Sequence, residues 1–142
     1  SSPGFCNDRN TASGSNWVAS GSTFYYAAYE RLDTNKTPTL QCSNTNDIYT
    51  TKVGLITADE VRMAGGTTSS NNSYYLYTGQ YYWTMSPSSF NGSRASVFRV
   101  NSSGAPDGIS VRGAYGVRPV LNLSADVTLT GEGTQNNPYV VS

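Results

Sequence analysis

The most constraining part of the chain is a short stretch whose residues specify both ends of a helix. Thr57 is a typical N-cap residue, and Glu60, three positions later, completes a capping box. Ile56 and Val61 flank this cap at the spacing of a hydrophobic staple. Gly65–Gly66 then supplies the left-handed conformation at which helices commonly end. The sequence therefore predicts a helix of roughly two turns over residues 58–64.

A second helix is predicted nearer the N-terminus, between residues 23 and 32. Apolar side chains recur there at helical spacing, at Tyr25, Ala28, Tyr29 and Leu32. The consecutive aromatic residues Phe24–Tyr26 also suit a strand, and the sequence alone leaves both alternatives open. Before this segment, residues 1–22 are expected to form an irregular arm or a short strand. After it, residues 43–53 are expected to form a polar loop.

The second half of the chain is predicted to be a series of short strands separated by turns. The segments are Tyr74–Tyr77, Tyr81–Met85, Ala95–Val100, Ile109–Arg112, Val117–Leu123, Val127–Leu129 and Tyr139–Val141. Pro87 is expected to end the second of them, and residues 106–108 are expected to form a loop. Pro119 restricts its strand to a sheet edge or a bulge. Helices followed by strands predict one α+β domain over residues 1–142, with an antiparallel sheet carrying helices on one side.

Charge and hydropathy exclude two classes of partner. Nine basic and nine acidic residues give a net charge of zero, and they are scattered without runs. A nucleic-acid partner is not expected, because phosphate binding needs a basic face. No apolar stretch approaches the ~20 residues of a membrane-spanning helix, so no membrane contact by this segment is expected.

The two cysteines, Cys6 and Cys42, indicate an oxidising compartment. They do not form a C-x-x-C pair, and the chain has no histidine to complete a zinc site. We interpret them as a disulfide that ties the N-terminal arm to the body, which favours an extracellular location. The alternative is two buried free thiols.

Two groups of segments resemble the formylglycine-generating (sulfatase-modifying) branch of the C-type-lectin-like folds. Leu55–Ala64 is similar to a helix of that branch, and Tyr82–Pro87, Ala95–Phe98 and Gly116–Val120 are similar to its C-terminal core. The pattern as a whole, up to the ending at residues 131–141, is also similar to uncharacterised domains of Gram-positive bacterial surface proteins. The resemblance implies a small twisted antiparallel sheet with two short helices and long loops. It further implies that Trp83 is a core residue under the sheet and that Arg118 holds a loop through its guanidinium group.

The resemblance carries over no catalytic residues. The branch uses a late cysteine pair to hold copper, whereas this chain has no cysteine after Cys42. Without histidine, a Ser-His-Asp or Cys-His arrangement is impossible. The adjacent Asp59 and Glu60 are explained by capping. The carboxylate–amide–proline and Trp-Asn-Asp motifs of a calcium-dependent lectin are also missing. We therefore expect no enzyme activity, no cofactor and no metal site.

Aromatic and small polar residues in loops favour a binding surface, since this combination gives rigid contact area and adaptable hydrogen bonds. Ordinary sheet packing is the alternative for any single tyrosine. The predicted ligand-binding residues are Ser88, Phe90, Asn91, Arg94, Asp107, Arg112, Tyr75 and Tyr77.

The sequence as a whole predicts an exported, non-catalytic binding or adhesion domain of a bacterial surface protein. Its expected partner is a host or bacterial surface protein or a glycan. The alternative is a structural subunit or head domain of a pilin-like filament, in which the tyrosine-rich face packs against a neighbouring copy.

Overall fold

A computed structural model describes residues 4–14, 22–42, 48–134 and 136–141. The strands are β1 (Gly4–Cys6), β2 (Phe24–Tyr25), β3 (Ile48–Thr50), β4 (Val53–Leu55), β5 (Tyr82–Phe90), β6 (Ala95–Val100), β7 (Pro106–Ser110), β8 (Pro119–Leu121), β9 (Leu129–Thr130) and β10 (Val140–Val141). The helices are α1 (Ala27–Tyr29), which continues as a π-helical segment (Glu30–Asn35), and α2 (Ala58–Met63). Within these ranges no helix has the length and hydropathy to cross a membrane.

The main sheet is antiparallel and has the strand order β2-β5-β6-β7. In its register Trp83 lies opposite Arg99, and Arg99 lies opposite Asp107. The pairing of β5 with β6 shifts register on both sides of Pro87. The expectation that Pro87 ends the strand is therefore wrong, because a bulged position tolerates a residue without an N–H.

The described part of the chain also contains three two-stranded sheets, with pairings β1-β3, β4-β8 and β9-β10. In the second of these, Pro119 pairs with Leu55, so it lies on an edge strand as predicted. The mixed architecture, two short helical elements and antiparallel sheets joined by long loops, confirms the predicted α+β class.

Helix α2 has the predicted ends. The Glu60 backbone N–H donates to Thr57 Oγ1 at 3.1 Å, and the Thr57 N–H donates to Glu60 Oε2 at 2.7 Å, which completes the capping box. Gly65, with φ +120°, lies just beyond the helix and reverses the chain. Ile56 packs against the core cluster that contains Val61, as the staple predicts.

The first helix differs from its prediction. Residues 24–25 form β2, so the aromatic-strand alternative is correct there, and the helix begins only at Ala27. The reason is tertiary: Phe24 pairs with Phe90 at the edge of the main sheet, and this pairing holds the backbone extended. Ala28 and Leu32, two members of the predicted stripe, are buried in the core.

Four further segments differ from the predictions. Residues 74–77 are bends and turns and not a strand, since Tyr74 folds inward and donates its hydroxyl to Gly104 O at 2.6 Å. Residues 106–108, predicted as a loop, belong to β7. Residues 48–50, placed in a polar loop, form β3, which pairs with β1 of the N-terminal arm. Strands β8 to β10 are shorter than the predicted segments, whereas β7 begins three residues earlier than predicted and ends at Ser110.

Two buried clusters lie between the sheet and the helices. One contains Ala28, Leu32, Ala58 and Phe98, and the other contains Val61, Tyr74, Tyr82 and Val100. Trp83 belongs to neither. Its side chain is on the opposite face of β5 and is partly exposed, so its predicted place in the core is wrong.

Two predicted tethers are confirmed. Cys6 and Cys42 form a disulfide, with their Cα atoms 5.1 Å apart. Arg118 Nη1 donates to Leu76 O at 2.8 Å, and its guanidinium lies 4.7 Å from the Tyr82 ring centre. The disulfide secures the N-terminal arm, and the Arg118 hydrogen bond holds the 74–77 turn against the sheet.

Candidate ligand-binding face

Strand β5 has an unusual distribution of polar and aromatic side chains. Its inward positions are Tyr82, Thr84, Ser86 and Ser88, and the last three are only 3%, 1% and 2% exposed. Its outward positions, at 83, 85 and 87, carry tryptophan, methionine and proline and are partly exposed. A sheet with one solvated face normally shows the reverse, with polar residues outward. The outer face therefore presents apolar and aromatic surface where a purely structural sheet would be polar.

The inward hydroxyl groups of Ser86 and Thr84 are hydrogen-bonded. Ser86 Oγ accepts from the Ala58 N–H at 2.9 Å, and Thr84 Oγ1 donates to Phe98 O at 2.7 Å. The small side chains let α2 approach the sheet closely, and the bonds offset the cost of burying them. The inward pattern is thus explained by helix docking, whereas the outward pattern is not.

Five outer-face residues form a group that we term the outer-face cluster: Tyr81, Trp83, Arg99, Asp107 and Tyr115. The Arg99 guanidinium carbon lies 4.5 Å from the Tyr81 ring centre and 4.4 Å from the Tyr115 ring centre. The two tyrosine rings are 5.4 Å apart, and the Trp83 ring meets Tyr115 edge-on at 4.9 Å. Arginine and three aromatic rings therefore form one continuous surface.

The loop that carries Tyr115 is fastened to the start of β5. The Gly116 N–H donates to Tyr81 O at 3.0 Å, and the Trp83 N–H donates to Gly116 O at 2.9 Å. A Cβ on Gly113 would lie 2.5 Å from the Tyr115 ring, so only glycine lets the ring fold back over the sheet. These contacts hold Tyr115 in place without a ligand.

The charges of the cluster are paired at its edge. Arg99 Nε donates to Asp107 Oδ1 at 2.9 Å, and Asn101 Nδ2 donates to the other carboxylate oxygen at 3.2 Å. Burial disfavours the charged guanidinium, but the Asp107 bond and charge outweigh it and raise the pKa of Arg99. The Asp107 side chain remains 41% exposed, so its carboxylate can also accept from a bound hydroxyl.

The structure places five of the eight sequence-predicted site residues at two ends of the sheet. Phe90, Asn91, Arg94 and Arg112 lie at the β5–β6 hairpin end, where the Val111 N–H donates to Ala95 O. Asp107 lies toward the other end of β6, beside Arg99. The two groups are separated by the length of a six-residue strand, roughly 17 Å. A single small ligand cannot contact both.

The other three predicted site residues differ in how exposed their side chains are. Ser88 is only 2% exposed and points inward, so its placement in a contact surface is wrong. Tyr75 is 82% exposed, whereas Tyr77 packs against the second core cluster. The outer-face residues Arg99 and Tyr115 were not singled out from the sequence. The inverted alternation of β5 is the sequence signal that points to this face.

Sequence reasoning also missed a buried ionic cluster. Arg31 donates through Nε and Nη2 to both oxygens of Asp59, at 3.0 and 2.9 Å, and pairs with Asp8 through the same guanidinium. Burial disfavours the guanidinium charge, but the bonds to Asp59 and Asp8 outweigh it and raise the pKa of Arg31. The cluster ties the π-helical segment to α2 and the N-terminal arm. In the described ranges no group of three or more His, Cys, Asp or Glu residues is placed to hold a metal ion.

Comparison with known sequences gives one family. The sequence profile described as DUF6273, a domain of unknown function, matches residues 11–125. The chain belongs to the DUF6273 family. The match covers the outer-face cluster, α2 and the main sheet of this DUF6273 domain, whereas the β9–β10 hairpin lies outside it. No curated protein and no solved structure matches the chain.

Proposed function

We propose that this DUF6273 domain is an extracellular, non-catalytic ligand-binding or adhesion domain of a bacterial surface protein. The observation that carries the proposal is the outer-face cluster, in which three aromatic rings and an arginine are held on the sheet face opposite the helices. These residues add nothing to the two buried core clusters, which lie on the other face.

The chemistry of the cluster suits contact with a glycan or a protein surface. Tyr81, 41% exposed, offers an aromatic plane on which the C–H face of a sugar ring or an apolar side chain can stack. Asp107 offers a carboxylate at the edge of that plane, which orients a hydroxyl or amide. Tyr115 is already fixed by its loop, so little ordering entropy is lost on binding.

Two further features support the proposal. The Cys6–Cys42 disulfide is stable in an oxidising compartment and is not expected in a reducing cytoplasm. The α+β architecture, with two short helices on one side of an antiparallel sheet, agrees with the C-type-lectin-like resemblance of the sequence. A C-type-lectin-like fold is therefore part of the proposal.

A glycan and surface-protein array probed with the purified domain tests the proposal. Tyr81→Ala is expected to reduce binding to each positive spot by at least about tenfold, because it removes the exposed stacking plane. Tyr75→Ala is the matched control, since Tyr75 is more exposed and lies outside the cluster. The double variant Phe90→Ala/Arg94→Ala tests the hairpin end. Loss of binding in the hairpin variant, with Tyr81→Ala unchanged, would move the site to that end and reject the outer face.

The second candidate is a structural subunit or head domain of a pilin-like filament. The observation that favours it is a run of exposed apolar side chains in the last quarter of the chain: Val117, Leu121, Leu123, Leu129, Tyr139, Val140 and Val141. Exposed apolar surface of this kind is typical of a face that packs against a neighbouring copy. Sedimentation of the purified domain distinguishes the two candidates. Concentration-dependent assembly that Val140→Asp abolishes supports the filament subunit, and a monomer at all concentrations supports the binding domain.

A further inference from the structure

A cavity that is separate from the outer-face cluster lies between the π-helical segment and the end of α2. Its volume is about 270 Å³, and it is lined by Leu32, Lys36, Pro38, Arg62, Gly66, Thr67 and Thr68. Gly65 positions this lining, because its φ of +120° turns the chain back after α2 toward the cavity. The cavity therefore combines two cations with hydroxyl groups and an apolar floor.

Arg62 has a hydrogen-bonding capacity that none of the described residues uses. Its side chain is only 9% exposed, and Nη2 forms one ion pair, at 3.2 Å, with Asp33. Among the described residues, Arg62 Nε is buried and has no hydrogen-bond acceptor. Buried guanidinium groups normally satisfy such donors, because leaving one unpaired costs free energy. Burial also lowers the pKa of Arg62, since the single Asp33 contact does not outweigh the desolvation of the guanidinium.

Two other arginines of the same chain show the usual arrangement. Arg31 directs Nε and Nη2 at the two oxygens of Asp59, and Arg99 directs Nε at Asp107. Arg62 differs from both in that its buried Nε has no acceptor among the described residues, and Arg62 is also part of the cavity lining. The missing acceptor is thus specific to this position.

The remaining polar groups of the cavity favour an anion. Lys36, in the left-handed conformation with φ +56°, ends the π-helical segment at the cavity wall and forms no ion pair with the described residues. Thr67 Oγ1 already donates to Ser69 O at 2.8 Å, whereas the neighbouring Thr68 hydroxyl has no hydrogen-bond partner among the described residues and can serve as a donor. Leu32 and Pro38 supply apolar surface below these donors.

We propose that this cavity binds a small carboxylated sugar, with the carboxylate at Arg62 and Lys36 and the sugar ring against Leu32 and Pro38. A planar carboxylate matches the fork of a guanidinium and would add a second anionic partner to Arg62, which pairs only with Asp33 among the described residues. The volume of about 270 Å³ suits one such ring. The site shares no residue with the outer-face cluster, so it does not depend on the function proposed for that face.

The test is a titration of the isotopically labelled domain with sodium D-glucuronate, followed through the amide signals of Gly66, Thr67 and Thr68. D-glucose, sodium acetate and sodium sulfate are titrated in parallel. Saturable shifts with glucuronate, none with glucose and weaker binding of acetate are expected, because glucose lacks the anion and acetate lacks the ring. Sulfate binding as tight as glucuronate would overturn the sugar-acid assignment. The absence of saturable shifts with any of the anions would overturn the site itself.

Variants connect the binding to the named residues. Arg62→Lys keeps the charge but removes the fork, so we expect glucuronate affinity to fall roughly tenfold. Lys36→Gln is expected to weaken it several-fold without disturbing the core, because Lys36 is exposed. Lys52→Gln removes the same charge from an exposed position outside the cavity and is expected to leave affinity unchanged. Equal weakening by Lys36→Gln and Lys52→Gln would show a general charge effect and reject the site. Tyr81→Ala is expected to leave glucuronate binding intact.

Discussion

Ser86 Oγ accepts a hydrogen bond from the Ala58 backbone N–H at 2.9 Å, and this contact joins the first turn of α2 to the middle of β5. Both residues are buried, at 1% and 0% exposure. The first N–H groups of a helix have no partner inside the helix, so a buried helix start needs acceptors from elsewhere. Ser86 supplies one of them from the sheet, while Thr57 supplies another locally.

Replacing Ser86 is therefore expected to destabilise the domain. In Ser86→Ala the Ala58 N–H stays buried without an acceptor, and the free energy of unfolding should fall by about 1–3 kcal/mol. Ser88→Ala is the matched control, because Ser88 is equally buried on the same strand but makes no side-chain hydrogen bond with the described residues. Urea denaturation of both variants gives the comparison. Equal losses would show that the Ser86 contact has no special importance.

The buried ionic cluster of Arg31, Asp59 and Asp8, here called the Arg31 cluster, predicts that two Asp→Asn variants differ in stability. Asp59→Asn removes a 2%-exposed carboxylate that accepts two bonds from Arg31, so we expect a loss of about 3 kcal/mol. Asp107→Asn removes the partner of Arg99, but Asp107 is 41% exposed and solvent screens the pair. Its loss should stay below about 1 kcal/mol. Chemical denaturation of the two variants checks the order, and a reversed order would contradict the structural role of the Arg31 cluster.

The disulfide predicts a third effect on stability. Cys6 and Cys42 are separated by 36 positions, and closing a loop of this length restricts the unfolded chain. The double variant Cys6→Ala/Cys42→Ala should lose about 4 kcal/mol of unfolding free energy by the loop-entropy relation. Because β1 pairs with β3, we also expect faster hydrogen exchange at residues 4–6 and 48–50. Unchanged exchange there, together with unchanged stability, would contradict the role of the bond as a tether for the arm.

These relationships differ in how far the sequence predicts them. The capping box of α2 involves residues three positions apart, so Thr57 and Glu60 were sufficient to find it. The face on which Trp83 lies could not be found in this way. Alternation along β5 fixes two sets of side chains, but only the docking of α2 through Ser86 decides which set is buried.

The candidate site, too, could be predicted from the sequence only in part, because its contacts join residues that are distant in the chain. Asp107 was expected as a site residue from its loop-like context, yet its partner Arg99 comes from the neighbouring strand. Tyr115 reaches the cluster because Gly116 bridges to the start of β5, a pairing across 34 residues that no local pattern reveals. Likewise, the unpaired Nε of Arg62 becomes visible only when α2 and the π-helical segment are placed together.

Tyr74 predicts how stability changes at alkaline pH. Burial in the second core cluster raises the pKa of Tyr74 to about 12, from an ordinary value of 10.0, because the phenolate would be desolvated there. The neutral hydroxyl donates to Gly104 O at 2.6 Å, and ionisation would lose this bond. Tyr74 ionises near pH 10 in the unfolded chain and only near pH 12 in the folded chain. Between these pH values the folded state therefore binds more protons than the unfolded state. The contribution of Tyr74 is therefore fully present below pH 10 and decreases as pH rises toward 12.

The size of this effect follows from the shift, which corresponds to roughly 2–3 kcal/mol between pH 10 and 12. Denaturation curves recorded from pH 8 to 12 should show the decline, and Tyr74→Phe should reduce its slope because phenylalanine has no proton to lose. Tyr75→Phe serves as the control, since Tyr75 is 82% exposed. Tyr82, whose pKa is also raised by burial, keeps part of the slope in the Tyr74 variant. A slope that Tyr74→Phe leaves unchanged would show that the Tyr74 hydroxyl ionises as easily in the folded as in the unfolded state.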